Sequence, residues 1–261
     1  MIRLVAALSI VAIAAGCGAS PERVVVAAGT TIVDSGYIAA LIDEYPGEGG
    51  FSIVASSSRE GFALGEGGAA DVLFTHLAEV EDAYVAEHPE SLQAPVFTSR
   101  FLLVGPTDQG TVAPGADVAD AFSSIASANA PFVSRGDGSG TAAREGAIWD
   151  LVGIDPAGEP WYVETGQGMG FTLQVTDQRD AFTLVEGGSF FAESSVLNLG
   201  EVPVTASPDS LLNNPYRVTV IDPAGAGATG LYEWVTSADG REAMIRINKM
   251  LYGRIVYTPA S

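Results

Sequence analysis

Phe132-Val133-Ser134-Arg135-Gly136-Asp137-Gly138-Ser139-Gly140-Thr141 reads as a short strand, Phe132 and Val133, running into a tight glycine-rich loop. After it, Ala142, Ala143, Arg144, Glu145, Ala147, Ile148 and Trp149 are mostly good helix formers with apolar residues at helical spacing. The loop carries one guanidinium, several hydroxyls and unencumbered backbone N–H groups at the start of that helix, which is the chemistry of an oxyanion site. Arg135 supplies a planar fork of donors suited to tetrahedral oxyanions. The plain alternative is a surface turn with a chance Arg-Gly-Asp triplet, but such a turn does not need Ser, Arg, Ser and Thr together.

Outward from this loop, strands and helices alternate. Strands are expected at Arg23–Ala27, Phe51–Ala55, Asp71–Thr75, Phe101–Val104, Trp161–Val163, Ala181–Val185 and Arg217–Ile221. Helices are expected at Ser35–Glu44, Leu77–Glu87, Val118–Ala128, Thr172–Arg179 and Gly230–Asn248. Such alternation implies an α/β fold with mostly parallel sheets, in which ligands sit beyond the carboxyl ends of strands. Two other strand ends carry hydroxyls: Gly29-Thr30-Thr31 and Ser56-Ser57-Ser58. Each alone is more often a helix cap; with the Arg135 loop they form a convergent set.

The 261 residues, 47% hydrophobic and 17% charged, suffice for one large or two modest domains. The formal charge of -20 argues against nucleic acid or anionic lipid surfaces as partners, so an anion must be held by local donors in a dry cleft. Arg3 precedes an apolar run from Leu4 to Ile13, short of the roughly twenty residues that span a bilayer, followed by Ala14-Ala15-Gly16-Cys17. This reads as a signal peptide at 1–16 with a lipobox, Cys17 becoming the lipidated first mature residue and 17–22 a tether. Cys17 is the only cysteine, so the rest of the chain has no thiol chemistry.

Catalytic patterns are thin. His76 and His88, the two histidines, lack zinc-site spacing; His76 reads as satisfied and partly buried, His88 as solvated. A Ser139–His76 nucleophile pair is conceivable, yet Asp137 stands where a nucleophile elbow needs glycine. Glu79 to Glu87 reads as a solvated helix face. Gly166-Gln167-Gly168-Met169-Gly170, with Glu186 twenty residues after Gly166, approaches a dinucleotide fingerprint, but its third glycine falls one position early. These glycines better suit a hinge or cleft wall.

The order Thr30-Thr31, Asp34-Ser35-Gly36, Ala70-Asp71-Val72-Leu73 with His76, the Ser134–Thr141 loop, Trp161-Tyr162, Gly166-Gln167-Gly168-Met169-Gly170-x-Thr172-Leu173 and Asn214-Pro215-Tyr216 resembles the tungstate-binding proteins of tungstate ABC importers over nearly the whole mature chain. The Gly-Gln-Gly-Met-Gly and Asn-Pro-Tyr segments are specific to that family, whereas Arg-x-Asp-x-Ser-Gly-Thr is shared with phosphate-binding proteins. Two departures stand out: Ala28-Gly29-Thr30-Thr31 replaces a Thr-Thr-Thr-Ser start, and Ser57-Ser58-Arg59 replaces a Gly-Thr-Gly loop.

The resemblance implies a two-lobed periplasmic-binding-protein-like fold of type II, with mixed, mostly parallel sheets and a cleft that closes over a dehydrated oxyanion. Lobe one would comprise 23–104 and 216–261, lobe two 105–215. Thr30, Thr31 and Ser58 would donate from lobe one, and Arg135, Ser139, Gly140 and Thr141 from lobe two, with Asp137 and Gly168 supporting them. The implied role is a non-catalytic, extracytoplasmic lipoprotein, monomeric and anchored through Cys17. It would bind tungstate or molybdate, use no cofactor or metal, and deliver its ligand to an ABC permease. The alternatives are a phosphate receptor and a secreted serine hydrolase using Ser139.

Overall fold

Val24, Val25 and Val26 make Arg23–Gly29 (β1) a β-branched strand, and the parallel strands Gly50–Ser56 (β2) and Val72–Thr75 (β3) flank it. The computed structural model describes residues 23–106, 110–208 and 211–261; the leader, Cys17 and the tether lie outside the described residues. Thr30–Asp34 (α1) and Tyr37–Asp43 (α2) follow β1, and Ser58–Glu66 (α3) and Ala78–Glu87 (α4) follow β2 and β3. The long Leu92–Gly105 (β4) leads to Val118–Ser127 (α5), Phe132–Ser134 (β5), Gly140–Leu151 (α6), Tyr162–Glu164 (β6), Met169–Gln178 (α7), Thr183–Glu186 (β7), Gly187–Glu193 (α8) and Gly200–Val202 (β8). Asn213–Val220 (β9), Ala226–Val235 (α9), Ala238–Tyr252 (α10) and Thr258–Pro259 (β10) complete the order.

The first sheet runs β10-β4-β9-β3-β1-β2. β4 then changes partners. Its Leu92–Arg100 half pairs antiparallel with β9, while Phe101–Val104 pairs with β7 and Leu103–Gly105 with β8. The parallel pair β5–β6 joins β7 through a Phe132–Phe182 bridge, where the Val133 amide donates to the Phe182 carbonyl at 2.8 Å. The chain therefore crosses between sheets at Arg100/Phe101 and returns at Leu212/Asn213, where the Phe101 amide donates to the Leu212 carbonyl at 2.8 Å. Both crossings lie a few residues before the 104/105 and 215/216 boundaries read from sequence.

Each sheet has its own core. Tyr37, Phe97, Tyr216 and Tyr257 fill the first, with the Tyr37 ring stacked 4.0 Å from Tyr257 and edge-on to Phe97 at 5.3 Å. Phe122, Phe132, Trp149 and Phe182 fill the second. Fully burying one such aromatic is worth about 1.5–3 kcal/mol. In α5, Val118, Ala121, Phe122 and Ile125 recur at helical spacing toward this core, and Asp117 caps the start by accepting from the Ala119 amide at 3.0 Å.

Several sequence expectations are corrected. The helix expected over Ser35–Glu44 begins at Thr30 and breaks at Gly36, whose φ of 76° ends one helix and starts the next. Thr30 and Thr31 are thus the first helical residues. The helix expected over Gly230–Asn248 is two, because the Ser237 hydroxyl caps α10 by accepting from Gly240 at 3.2 Å. The sheets are mixed, but antiparallel ladders outnumber parallel ones among the described residues, five to three. Hydrophobic periodicity does not carry strand direction, and the two crossing strands β4 and β9 run against their neighbours.

Candidate oxyanion site

The loop after β5 is built by its glycines and by Asp137. Gly136 (φ 58°) and Gly138 (φ 70°) occupy left-handed backbone, and a Cβ at Gly136 would stand 2.7 Å from the Glu164 Cβ. Arg135 donates to Asp137 Oδ2 from Nε at 3.0 Å and also from Nη2, and the Ser139 amide donates to Asp137 Oδ1 at 3.1 Å. Asp137 therefore fixes the guanidinium in place. Burial raises its carboxyl, but the Ser139 hydrogen bonds and the Arg135 charge outweigh this and hold it below its ordinary value. Ser139 caps α6, its Oγ accepting from the Ala142 amide at 3.3 Å. From behind, the Thr165 and Gly166 amides donate to the Ser134 and Arg135 carbonyls at 3.0 and 2.8 Å. The glycine segment after β6 thus supports the loop's backbone.

Arg135, Ser139, Gly140 and Thr141 line a cavity of about 20 Å³ with Thr30, Thr31, His76, Phe101, Glu186 and Asn214. That volume holds about one water. The carboxyl ends of β1, β3, β5 and β7 all converge here, as α/β architecture favours. Six of the seven donor residues expected from sequence meet at this cavity. Ser58 does not: it is the first residue of α3, and its Oγ accepts from the His76 amide at 3.2 Å. Gly168 also lies off the cavity, capping α7, where its carbonyl accepts from the Thr172 amide at 3.1 Å and from the Thr172 hydroxyl.

A chain of hydrogen bonds orients donors at the cavity wall. His76 Nδ1 donates to Asn214 Oδ1 at 2.9 Å, and Asn214 Nδ2 donates to Ser99 Oγ and Tyr216 Oη, both at 3.3 Å. Burial pushes the Tyr216 hydroxyl far above its ordinary value, so it stays protonated. Occupied as an acceptor by Asn214, it can give its proton to Thr31 Oγ1 at 3.0 Å, leaving the Thr31 hydroxyl free to donate into the cavity. His76 lies between the lobes: a Cβ at Gly29 would be 3.7 Å from its Cδ2, and one at Gly140 only 2.6 Å from its Cε1. Burial lowers its pKa, the Asn214 bond opposes that, and the Arg144 charge lowers it further.

Sequence reasoning missed His76 and Asn214 as lining residues and, above all, Glu186. This carboxyl is fully buried at the end of β7 and caps α8, Oε2 accepting from the Gly188 amide at 3.0 Å, the Ser189 amide at 3.3 Å and Tyr257 Oη at 3.2 Å. Burial raises its pKa, with Ser99 and the α8 amides pulling the other way. The face of α4 is also not uniformly solvated. Glu81 is buried, accepting from the Thr75 hydroxyl at 2.8 Å and pairing with Arg217 at 3.4 Å.

Ser139 and His76 share the cavity, but among the described residues no hydrogen bond joins them, and His76 Nδ1 is oriented by an amide, Asn214, instead of a carboxylate. The geometry is that of donor side chains and amides around a small cavity, with no nucleophile–base hydrogen bond among the described residues.

A family model described as PBP superfamily domain matches residues 18–239. The tungstate-binding protein TupA of Peptoclostridium acidaminophilum is 29% identical over 283 aligned positions, covering 99% of this chain and 98% of that protein. A solved structure of the tungstate-binding protein TupA from Desulfovibrio alaskensis G20 superposes with a TM-score of 0.74 at 25% identity, covering 92% of this chain and 99% of that one. The tungstate ABC transporter structure from Geobacter sulfurreducens superposes with a TM-score of 0.72 at 30% identity, over 86% of this chain and 98% of that one.

Proposed function

This chain belongs to the PBP superfamily, and we propose that it is the extracytoplasmic substrate-binding component of an ABC importer, capturing tungstate for delivery to the permease. The observation that carries this reading is the convergence of Thr30 and Thr31 from one lobe with Arg135, Ser139, Gly140 and Thr141 from the other on one small cavity. The guanidinium supplies charge, the hydroxyls and the first amides of α6 supply directed donors, and closure removes water that would weaken them. The length-spanning similarity to tungstate-binding relatives supports tungstate as the ligand. Cys17 provides the lipid anchor, the protein works as a monomer, and Ser139 serves as a donor without turnover. We place lobe one at about 23–100 and 213–261, where the strand partners change.

One observation favours a phosphate receptor as the second reading: Glu186 puts a carboxyl on the cavity wall, where it could accept the proton that phosphate retains. A thermal-shift panel of tungstate, molybdate, sulfate and phosphate separates the two, because a ligand stabilises the folded state in proportion to the logarithm of its concentration over Kd. Tungstate is expected to raise Tm at the lowest concentration. A shift with phosphate alone would replace the reading.

A further inference from the structure

Glu186 lines the same cavity as Arg135, and its two oxygens are in different situations. Oε2 is saturated by the Gly188 and Ser189 amides and by Tyr257 Oη. Oε1 is buried and makes no hydrogen bond, although the Ser99 hydroxyl, which accepts from Asn214 Nδ2, stands near enough to the carboxyl to favour its charged form. A proton on this carboxyl therefore has one place to go, Oε1.

The charges that face Glu186 settle which state can coexist with a bound anion. Arg135 is the cation on the cavity wall, and Asp137 already neutralises it at Nε and Nη2. Tyr257 just before β10, Tyr216 from β9 and Tyr252 from α10 surround Glu186, all held protonated by burial. His76 is the remaining titratable group on the wall, and burial favours its neutral form. An ionised Glu186 beside a doubly charged oxyanion would place three negative charges in a dry cavity against one shared guanidinium, which is strongly unfavourable.

Resting on the reading of the site as a tungstate receptor, we propose that Glu186 binds the oxyanion in its neutral form, Oε1–H donating to a ligand oxygen. The fold gives the device its orientation: the N-terminal amides of α8 and Tyr257 hold Oε2, which leaves Oε1 as the oxygen without a partner on a residue that lines the cavity. The residue thus determines specificity, accepting a proton-free dianion as a donor. A neutral carboxylic acid is also worse than a carboxylate at receiving the proton of hydrogen phosphate. This reconciles the buried carboxyl with a receptor for proton-free oxyanions.

The test is infrared difference spectroscopy at about pH 8, above the about 7 to which Glu145, the other deeply buried carboxyl of the second lobe, is raised. Wild-type protein saturated with sodium tungstate, its occupancy checked by calorimetry on the same sample, is compared with Glu186→Gln and Glu145→Gln. The expected result is a protonated-carboxyl C=O band in the wild-type complex that shifts in heavy water, is lost in Glu186→Gln and persists in Glu145→Gln. Should Glu186→Gln fail to fold, persistence of the band in both Glu145→Gln and Glu81→Gln, the other buried carboxyls, decides the matter. No such band in the wild-type complex, or one that survives Glu186→Gln or vanishes with Glu145→Gln, overturns the Glu186 assignment and leaves the tungstate reading intact. Absence of tungstate binding in the calorimetry overturns both.

Discussion

At the scale of single residues, charge is scarce in the cavity, and its loss is correspondingly costly. Arg135→Ala removes the guanidinium and leaves Asp137 facing the anion; tungstate binding is expected to weaken by roughly 2–5 kcal/mol with little change in Tm, measured by calorimetry and thermal melts. Wild-type affinity in that variant would contradict the site. Glu145 makes a different prediction, on stability. It is buried behind the loop, where Tyr162 Oη donates to it at 2.7 Å and Trp149 Nε1 at 3.2 Å. Burial raises its pKa from 4.5 to about 7. The folded state then holds this proton more tightly than the unfolded chain, so the contribution is complete below about pH 4.5 and is lost as pH rises through about 7. Glu145→Gln should flatten that slope and be more stable than wild type at about pH 8, by up to about 3 kcal/mol in denaturant titrations.

At the scale of elements, Gly140 opens α6 against a side chain of the other lobe. A Cβ there would stand 2.6 Å from His76 Cε1, and His76 cannot retreat, being tied to Asn214 and packed 4.8 Å from the Tyr216 ring. Gly140→Ala is expected to prop the lobes apart, lowering tungstate affinity by about tenfold or more while Tm holds, since alanine suits a helix better. Unchanged affinity would mean that closure does not bring these elements together. Elements also show what the sequence discloses. The β5–loop–α6 unit is legible because its hydroxyls, arginine and glycines have one shared use. α3 is not, although Ser57 and Glu60 form a capping box, since three consecutive serines also read as donors. The first half of β4 is hidden by Pro95 and the bulge between Pro95 and Phe97, which interrupt its alternation. Glu186 is invisible as a cavity residue because its position follows from how β7 pairs with β4, and no local pattern records that pairing.

At the scale of the molecule, a chain of formal charge -20 captures an anion, so its long-range field opposes the ligand that its cavity attracts. Salt screens the field over about 10 Å at 0.1 M but hardly reaches buried contacts. Stopped-flow association of tungstate should therefore accelerate with ionic strength, the reverse of a steered encounter, with dissociation little affected. A rate that falls with salt would point to a local positive entrance. Two lobes closing on a proton-free oxyanion can be tested by a calorimetric titration of tungstate near neutral pH with phosphate in competition. One tungstate is expected to bind per chain and to be retained against about a hundredfold excess of phosphate. Displacement of tungstate by phosphate at equal concentration would contradict it.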